Sequence, residues 1–151
     1  MFLPDAPTTR AAVVTALWRS AGEPYVNYAM RFSDVQPDIW YAEAIRWAAA
    51  EKIVSGFDAE HFAPDDPISR EQLAVILYSY SEYTGRDTDI SDSGGLYMFA
   101  DAGDISDWAL DAVGWAAANG LILGVSDDIF SPSSYAARAQ TAAVLTRYFH
   151  M

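Results

Sequence analysis

Residues 32–77 of this sequence are written almost twice, and a period of that length constrains the fold before any single motif can. Phe32-Ser33-Asp34-Val35, Trp40-Tyr41, Ala44, Trp47, Ile53, Gly56, Phe62-Ala63-Pro64-Asp65, Ser69-Arg70 and Leu77 come in that order. Phe99-Ala100-Asp101, Trp108, Ala112, Trp115, Leu121, Gly124, Phe130-Ser131-Pro132, Arg138 and Leu145 follow the same order. The offset is 67 residues from Phe32 to Phe99 and, after one inserted residue, 68 from Trp40 to Trp108. A third, partial copy opens the chain: Phe2, Pro4, Arg10 and Leu17 stand 60 residues before Phe62, Pro64, Arg70 and Leu77. The expected organisation is one module over residues 1–151. Residues 1–24 form the C-terminal half of the first copy, 25–31 a linker, 32–83 the second copy, 84–98 a second linker and 99–151 the third copy.

Each copy reads as helix, loop, helix. Thr9 to Ala21 places Val13, Val14, Leu17 and Trp18 at helical spacing, with Gly22 and Pro24 to end it. The first helices of copies two and three, about Ile39 to Lys52 and Trp108 to Asn119, are apolar nearly all round. Such helices belong inside. Gly56 and Gly124 are read as closing the turn into the loops that carry Phe-x-Pro, where a positive φ suits glycine. The second helices run from about Ser69 to Tyr83 and from Ala136 to Phe149. Ser69 with Gln72 makes a capping box and Thr9 a simple cap. Ala137 offers neither, so Ser134 is the expected substitute. Thr84 to Met98, with Asp87, Asp89, Asp92, Gly94 and Gly95, reads as a polar surface linker. No convincing alternating strand appears, and the expected class is all-α.

The repeated unit resembles the S-layer homology (SLH) family of bacterial cell-wall anchoring modules. The resemblance is carried by Phe32, Asp34, Val35, Trp40, Tyr41, Ala44, Ile45, Gly56, Phe62, Pro64, Asp65, Ile68, Ser69, Arg70 and Glu71. It implies tandem helix-loop-helix repeats in a pseudo-threefold bundle with long loops. It also implies a non-catalytic module at the cell surface or in the S-layer, part of a longer exported protein, that binds secondary cell-wall polysaccharide, often through an acidic, pyruvylated sugar. The family's Thr-Arg-Ala-Glu string is Thr9-Arg10-Ala11-Ala12, Ser69-Arg70-Glu71-Gln72 and Ala137-Arg138-Ala139-Gln140 here. No copy keeps the final Glu and the third lacks the hydroxyl. On that ground Arg70 ranks first among the three arginines and Arg138 last.

Charge narrows the partners. Lys and Arg number 9 against 21 Asp and Glu, for a formal charge of −12. A nucleic-acid partner wants a basic face, and an anionic membrane surface attracts Lys and Arg. Neither is expected. There is no cysteine, hence no disulfide staple and no thiolate metal site. No apolar run approaches the ~20 residues of a membrane helix, and no signal peptide is visible.

The few cations are placed repeatedly. Arg10, Arg70 and Arg138 each fall in a first helical turn, where a cation opposes the helix dipole at a cost of about 0.3–1 kcal/mol. Two readings stay open. Each guanidinium can join free backbone N–H groups in holding a carboxylate or phosphate. Alternatively it folds over onto a neighbouring copy, against Asp34, Asp101 or a backbone carbonyl. Asp34 and Asp101 themselves read as turn residues accepting backbone N–H bonds, or as acceptors of sugar hydroxyls. Trp40 and Trp108 read as core side chains or as apolar platforms for a sugar face. The candidate polysaccharide-binding set is Arg70, Arg10, Arg138, Asp34, Asp101, Trp40, Trp108, Gly56 and Gly124.

Catalysis finds little support. No carboxylate is isolated in an apolar stretch that would raise its pKa for acid catalysis. His61 and His150 have no partner at metal-ligand spacing. Asp58–Asp66 and Asp101–Asp107 are acidic, but neither matches a twelve-residue calcium loop. No cofactor and no metal are expected. A helical protein-protein module, and behind it a glycan hydrolase, are the alternatives. Because the first copy lacks its inner helix, apolar faces stay uncovered at roughly 25 cal/mol per Å². Either the linker with Tyr25, Tyr28 and Met30 fills the gap, or two chains share it as a homodimer.

Overall fold

The computed structural model describes residues 3–89, 99–126 and 128–151. Phe2 and the 90–98 part of the second linker, with Asp92, Gly94 and Gly95, lie outside them. The described residues are all-α: α1 Arg10–Ser20, α2 Ala42–Ala50, α3 Arg70–Thr84, α4 Leu110–Ala118 and α5 Arg138–Phe149, with no strand among them. Short 3-10 turns at Ala102–Asp104 and Asp107–Ala109 precede α4.

The chain divides into two compact units, Thr9–Pro67 and Met1–Thr8 with Ile68–Met151. In the first, α1 packs on α2. Ala11, Val14 and Leu17 of α1 and Ala44, Ile45, Trp47 and Ala48 of α2 are all buried. In the second, α3 packs on α4, with Leu73, Ala74, Leu77, Ala112, Trp115 and Ala116 buried. Alanines let the backbones approach while one tryptophan per helix fills the volume. Full burial of side chains of this size contributes about 1.5–3 kcal/mol each. The pairs therefore join successive copies: the second helix of one copy lies on the first helix of the next. Tyr148 of α5 completes the second core, its hydroxyl 2.9 Å from Ser81 Oγ and its ring 5.9 Å from that of Tyr80.

The helix starts explain why three different caps suffice. Thr9 Oγ1 accepts from Ala12 N at 3.1 Å, and Ser69 with Gln72 forms the full capping box. Ala137 has no side-chain acceptor; only the Gln140 half remains, accepting from Ala137 N. Ser134 does not substitute, since its hydroxyl pairs with Ser131. In all three helices the first two N–H groups donate to carbonyls of another copy's Phe-x-Pro loop. Arg10 N and Ala11 N donate to Asp66 and Pro64, and Arg70 N and Glu71 N to Ser134 and Pro132. Arg138 N and Ala139 N donate to Ala6 and Pro4. These bonds satisfy donors that a helix start otherwise leaves orphaned.

Two boundaries differ from the sequence reading. The α-helices begin at Ala42 and Leu110, after turns that hold Trp40 and Trp108 outside the helical surface. At the other end Lys52, φ 60°, and Gly120, φ 66°, hold left-handed turns directly after the helices; Gly56 has the expected positive φ, 86°, and Gly124 does not.

Candidate functional site

The site is built around Phe62 and Phe130, the aromatic residues of the second and third Phe-x-Pro loops. Phe62 is fully buried and packs against Phe32 at 5.5 Å between ring centroids. The next residue, Ala63, has φ 59°, a left-handed conformation that costs a non-glycine residue roughly 1–2 kcal/mol. Asp34 compensates: its two carboxylate oxygens accept from Phe62 N at 2.9 Å and Ala63 N at 2.8 Å. Arg10 closes the arrangement from α1. Its guanidinium lies 4.8 Å from the Phe62 ring centroid, and its Nε donates to the Phe62 carbonyl at 3.1 Å.

The other unit repeats this construction residue for residue. Asp101 accepts from Phe130 N at 2.9 Å and Ser131 N at 2.8 Å, and Ser131 has φ 61°. Arg70 lies 5.1 Å from the Phe130 ring centroid, with Nε donating to the Phe130 carbonyl at 2.9 Å. Its Nη2 also donates to the Leu123 carbonyl. Gly56 and Gly124 belong to these frames as points of close approach. A Cβ on Gly56 would come within 2.5 Å of the Phe32 ring, and one on Gly124 within 2.6 Å of the Ile129 carbonyl.

Electrostatics follow from this packing. Burial pushes both guanidinium groups down from their ordinary value, opposed by Asp66 and Asp34 at Arg10 and by Asp101 at Arg70. Guanidinium starts so high that both stay charged. Burial disfavours the charge of Asp101, but the N–H bonds from Phe130 and Ser131, with Arg70 beyond, outweigh it. That carboxyl is held below its usual range.

The two aspartates act as acceptors of backbone N–H groups, and the two arginines fold onto backbone carbonyls. The N-terminal N–H groups of the helices are already bonded, so an anion cannot use them. The arginines differ in what they leave open. Arg70 is only 6% exposed and commits two nitrogens. Arg10 is half-buried and commits Nε alone, so among the described residues its Nη1 and Nη2 make no hydrogen bond. Arg138 is exposed; the matching ring, Phe2, lies outside the described residues.

Trp40 and Trp108 are not core side chains. They are 59% and 61% exposed, and Trp40 stands edge-on to Tyr41 at 4.9 Å. Trp47 and Trp115 are buried as expected, and Trp18 is half-buried with its indole N–H donating to the Pro24 carbonyl. Sequence reasoning missed three contributors. Phe62 and Phe130 seat the guanidinium groups. Buried Glu71 accepts from Ser106 N and Oγ, at 2.9 and 2.8 Å, and so fixes the turn that carries Trp108. The Phe residues were visible as repeat landmarks; Glu71 has no counterpart in Ala11 or Ala139 and gave no periodic signal.

Among the described residues no three acidic, His or Cys side chains group as a metal site, and no helix is long and apolar enough to cross a membrane. Asp58 and His61 form an exposed pair at 2.9 Å.

Known proteins share this pattern. The S-layer homology domain matches at residues 31–74 and 99–142. The chain is 33% identical to an amylopullulanase of Thermoanaerobacterium thermosulfurigenes, over 94% of this chain and 8% of that protein. It is 33% identical to the surface-layer 125 kDa protein of Lysinibacillus sphaericus, over 82% of this chain and 10% of that one. With a cellulosome-anchoring protein of Acetivibrio thermocellus the identity is 28%, over 97% and 33%. The chain spans a third or less of the length of each of these relatives.

Proposed function

The chain belongs to the S-layer homology domain family, and from that premise we propose that it is a non-catalytic anchor that holds a larger exported protein on the bacterial surface by binding secondary cell-wall polysaccharide. Support comes from what its relatives share. The common region is a small part of an amylopullulanase, and it recurs in a surface-layer protein and a cellulosome-anchoring protein. A segment common to enzymes and non-enzymes alike is better read as the means of attachment than as the chemistry.

The observation that carries the ligand class is Arg10. Its guanidinium is seated on the Phe62 ring with Nε donating to the Phe62 carbonyl, and its Nη1 and Nη2 make no hydrogen bond among the described residues. In a chain with net charge −12, a pre-oriented fork of this kind suits a carboxylate on an otherwise neutral sugar. Exposed Trp40 and Trp108 are available as apolar surfaces for sugar faces. Arg70 offers fewer free donors than Arg10, so Arg10 is placed first.

Calorimetry with purified acidic cell-wall polymer at fixed salt tests this. Arg10→Ala should weaken binding by roughly tenfold or more, the scale of one lost charge-assisted bond. Arg70→Ala should lower binding less and stability more. Unchanged affinity in folded Arg10→Ala would reject the site.

A further inference from the structure

The two frames differ in which arginine reaches one backbone carbonyl. In the frame at Phe130, Arg70 commits two nitrogens, Nε to the Phe130 carbonyl and Nη2 to the Leu123 carbonyl. Leu123 stands 68 residues after Ser55, and Phe130 the same distance after Phe62. In the frame at Phe62, Arg10 repeats only the first of those bonds, Nε to the Phe62 carbonyl at 3.1 Å. The Ser55 carbonyl accepts instead from Nη2 of Arg31, at 2.8 Å. Arg31 is exposed, and its guanidinium lies 4.7 Å from the centroid of the Phe32 ring, which packs on Phe62. The residue at the matching place in the third copy is Met98, a side chain with no N–H to donate.

The backbone diverges at the same point. Gly56, directly after Ser55, has φ 86°, whereas Gly124, directly after Leu123, has no positive φ. Rotation about that N–Cα bond turns the preceding peptide plane, and glycine takes either sign at little cost. The Ser55 carbonyl meets Arg31, and the Leu123 carbonyl meets Arg70.

We infer that Arg31 is a positioning residue for the anion site: it holds the Ser55–Gly56 peptide and so leaves both terminal nitrogens of Arg10 for a ligand carboxylate. A carbonyl has two lone pairs, so occupancy alone would not keep Arg10 away. Two guanidinium groups on one oxygen repel each other, however, and the peptide is turned toward Arg31. The frames are therefore unequal. The one at Phe62 keeps a two-nitrogen fork for bidentate recognition, and the one at Phe130 ties part of its fork to the protein. The consequence for affinity rests on the acidic-polysaccharide reading above; the effect of Arg31 on Arg10 does not.

Guanidinium rotation, followed by nitrogen-15 NMR on the unliganded chain, tests the positioning directly. In the parent, the Nη hydrogens of Arg70 should exchange places slowly and those of Arg10 rapidly. Arg31→Met should slow those of Arg10 several-fold, because the Ser55 carbonyl would then take one of its nitrogens. Arg31→Lys keeps a donor and should leave Arg10 rotating as in the parent. An Arg10 that rotates as freely in Arg31→Met as in the parent would overturn the proposal. Calorimetry with purified acidic wall polymer reads the consequence. Arg31→Met should weaken binding by about tenfold, and Arg31→Met with Arg10→Ala no more than Arg10→Ala alone. Losses that multiply would also overturn the proposal, because Arg31 would then touch the ligand itself. Equal binding by the parent and Arg10→Ala would reject the acidic-polysaccharide reading instead, and the rotation measurement would still decide the role of Arg31.

Discussion

A guanidinium seated on a phenylalanine and an aspartate gripping two N–H groups hold the Phe-x-Pro loops at Phe62 and Phe130. The aspartate stabilises more than its hydrogen bonds suggest, because it holds Ala63 or Ser131 in a backbone conformation unfavourable for them. Asp34→Ala should therefore destabilise the chain by about 1.5–3 kcal/mol, the range for bonds to a charged acceptor; thermal unfolding would show it, and a loss near zero would contradict the clamp. Asp101 adds a pH dependence. Its folded pKa is depressed, so its contribution is complete above the unfolded value of roughly 3.9 and is lost as pH falls through the folded value. The stability gap between parent and Asp101→Asn should be constant near neutrality and narrow in acid. A gap that widened on acidification would reverse the sign argued here. The role of each aspartate was legible in the sequence as a turn acceptor. The strained residue it supports was not, because nothing in Ala63 or Ser131 marks a left-handed backbone.

The elements were legible where periodicity is strong and ambiguous where turns interrupt it. α1, α3 and α5 start at the residues their caps predict, give or take two. Trp40 and Trp108 stand at helical spacing from Trp47 and Trp115, and spacing alone cannot reveal that a turn precedes the helix and turns them outward. The helix ends carry a similar lesson. Lys52 occupies the left-handed position that Gly120 occupies in the other copy. Lys52→Gly should stabilise the chain by up to about 1 kcal/mol, the relief of a left-handed Cβ less the backbone freedom that glycine loses. Denaturant unfolding can resolve that gain; a destabilised variant would mean that the Lys52 side chain contributes more than its exposed position indicates.

At the scale of the whole chain, the period in the sequence announced the copies but not their pairing. Helices pack between copies, and each loop caps a helix of another copy, because a single helix-loop-helix cannot bury its own apolar face. That interlocking also places Arg10 of the first copy on Phe62 of the second, and Arg70 of the second on Phe130 of the third, so each frame is assembled from two copies. The central claim is that these frames attach the chain to a wall polysaccharide. Cosedimentation with purified cell walls, before and after chemical removal of the polymer bound to peptidoglycan, tests it most directly. The account predicts that the chain pellets with intact walls, stays in solution with stripped ones, and is released from intact walls by added free polymer. Equal binding to intact and stripped walls would contradict it.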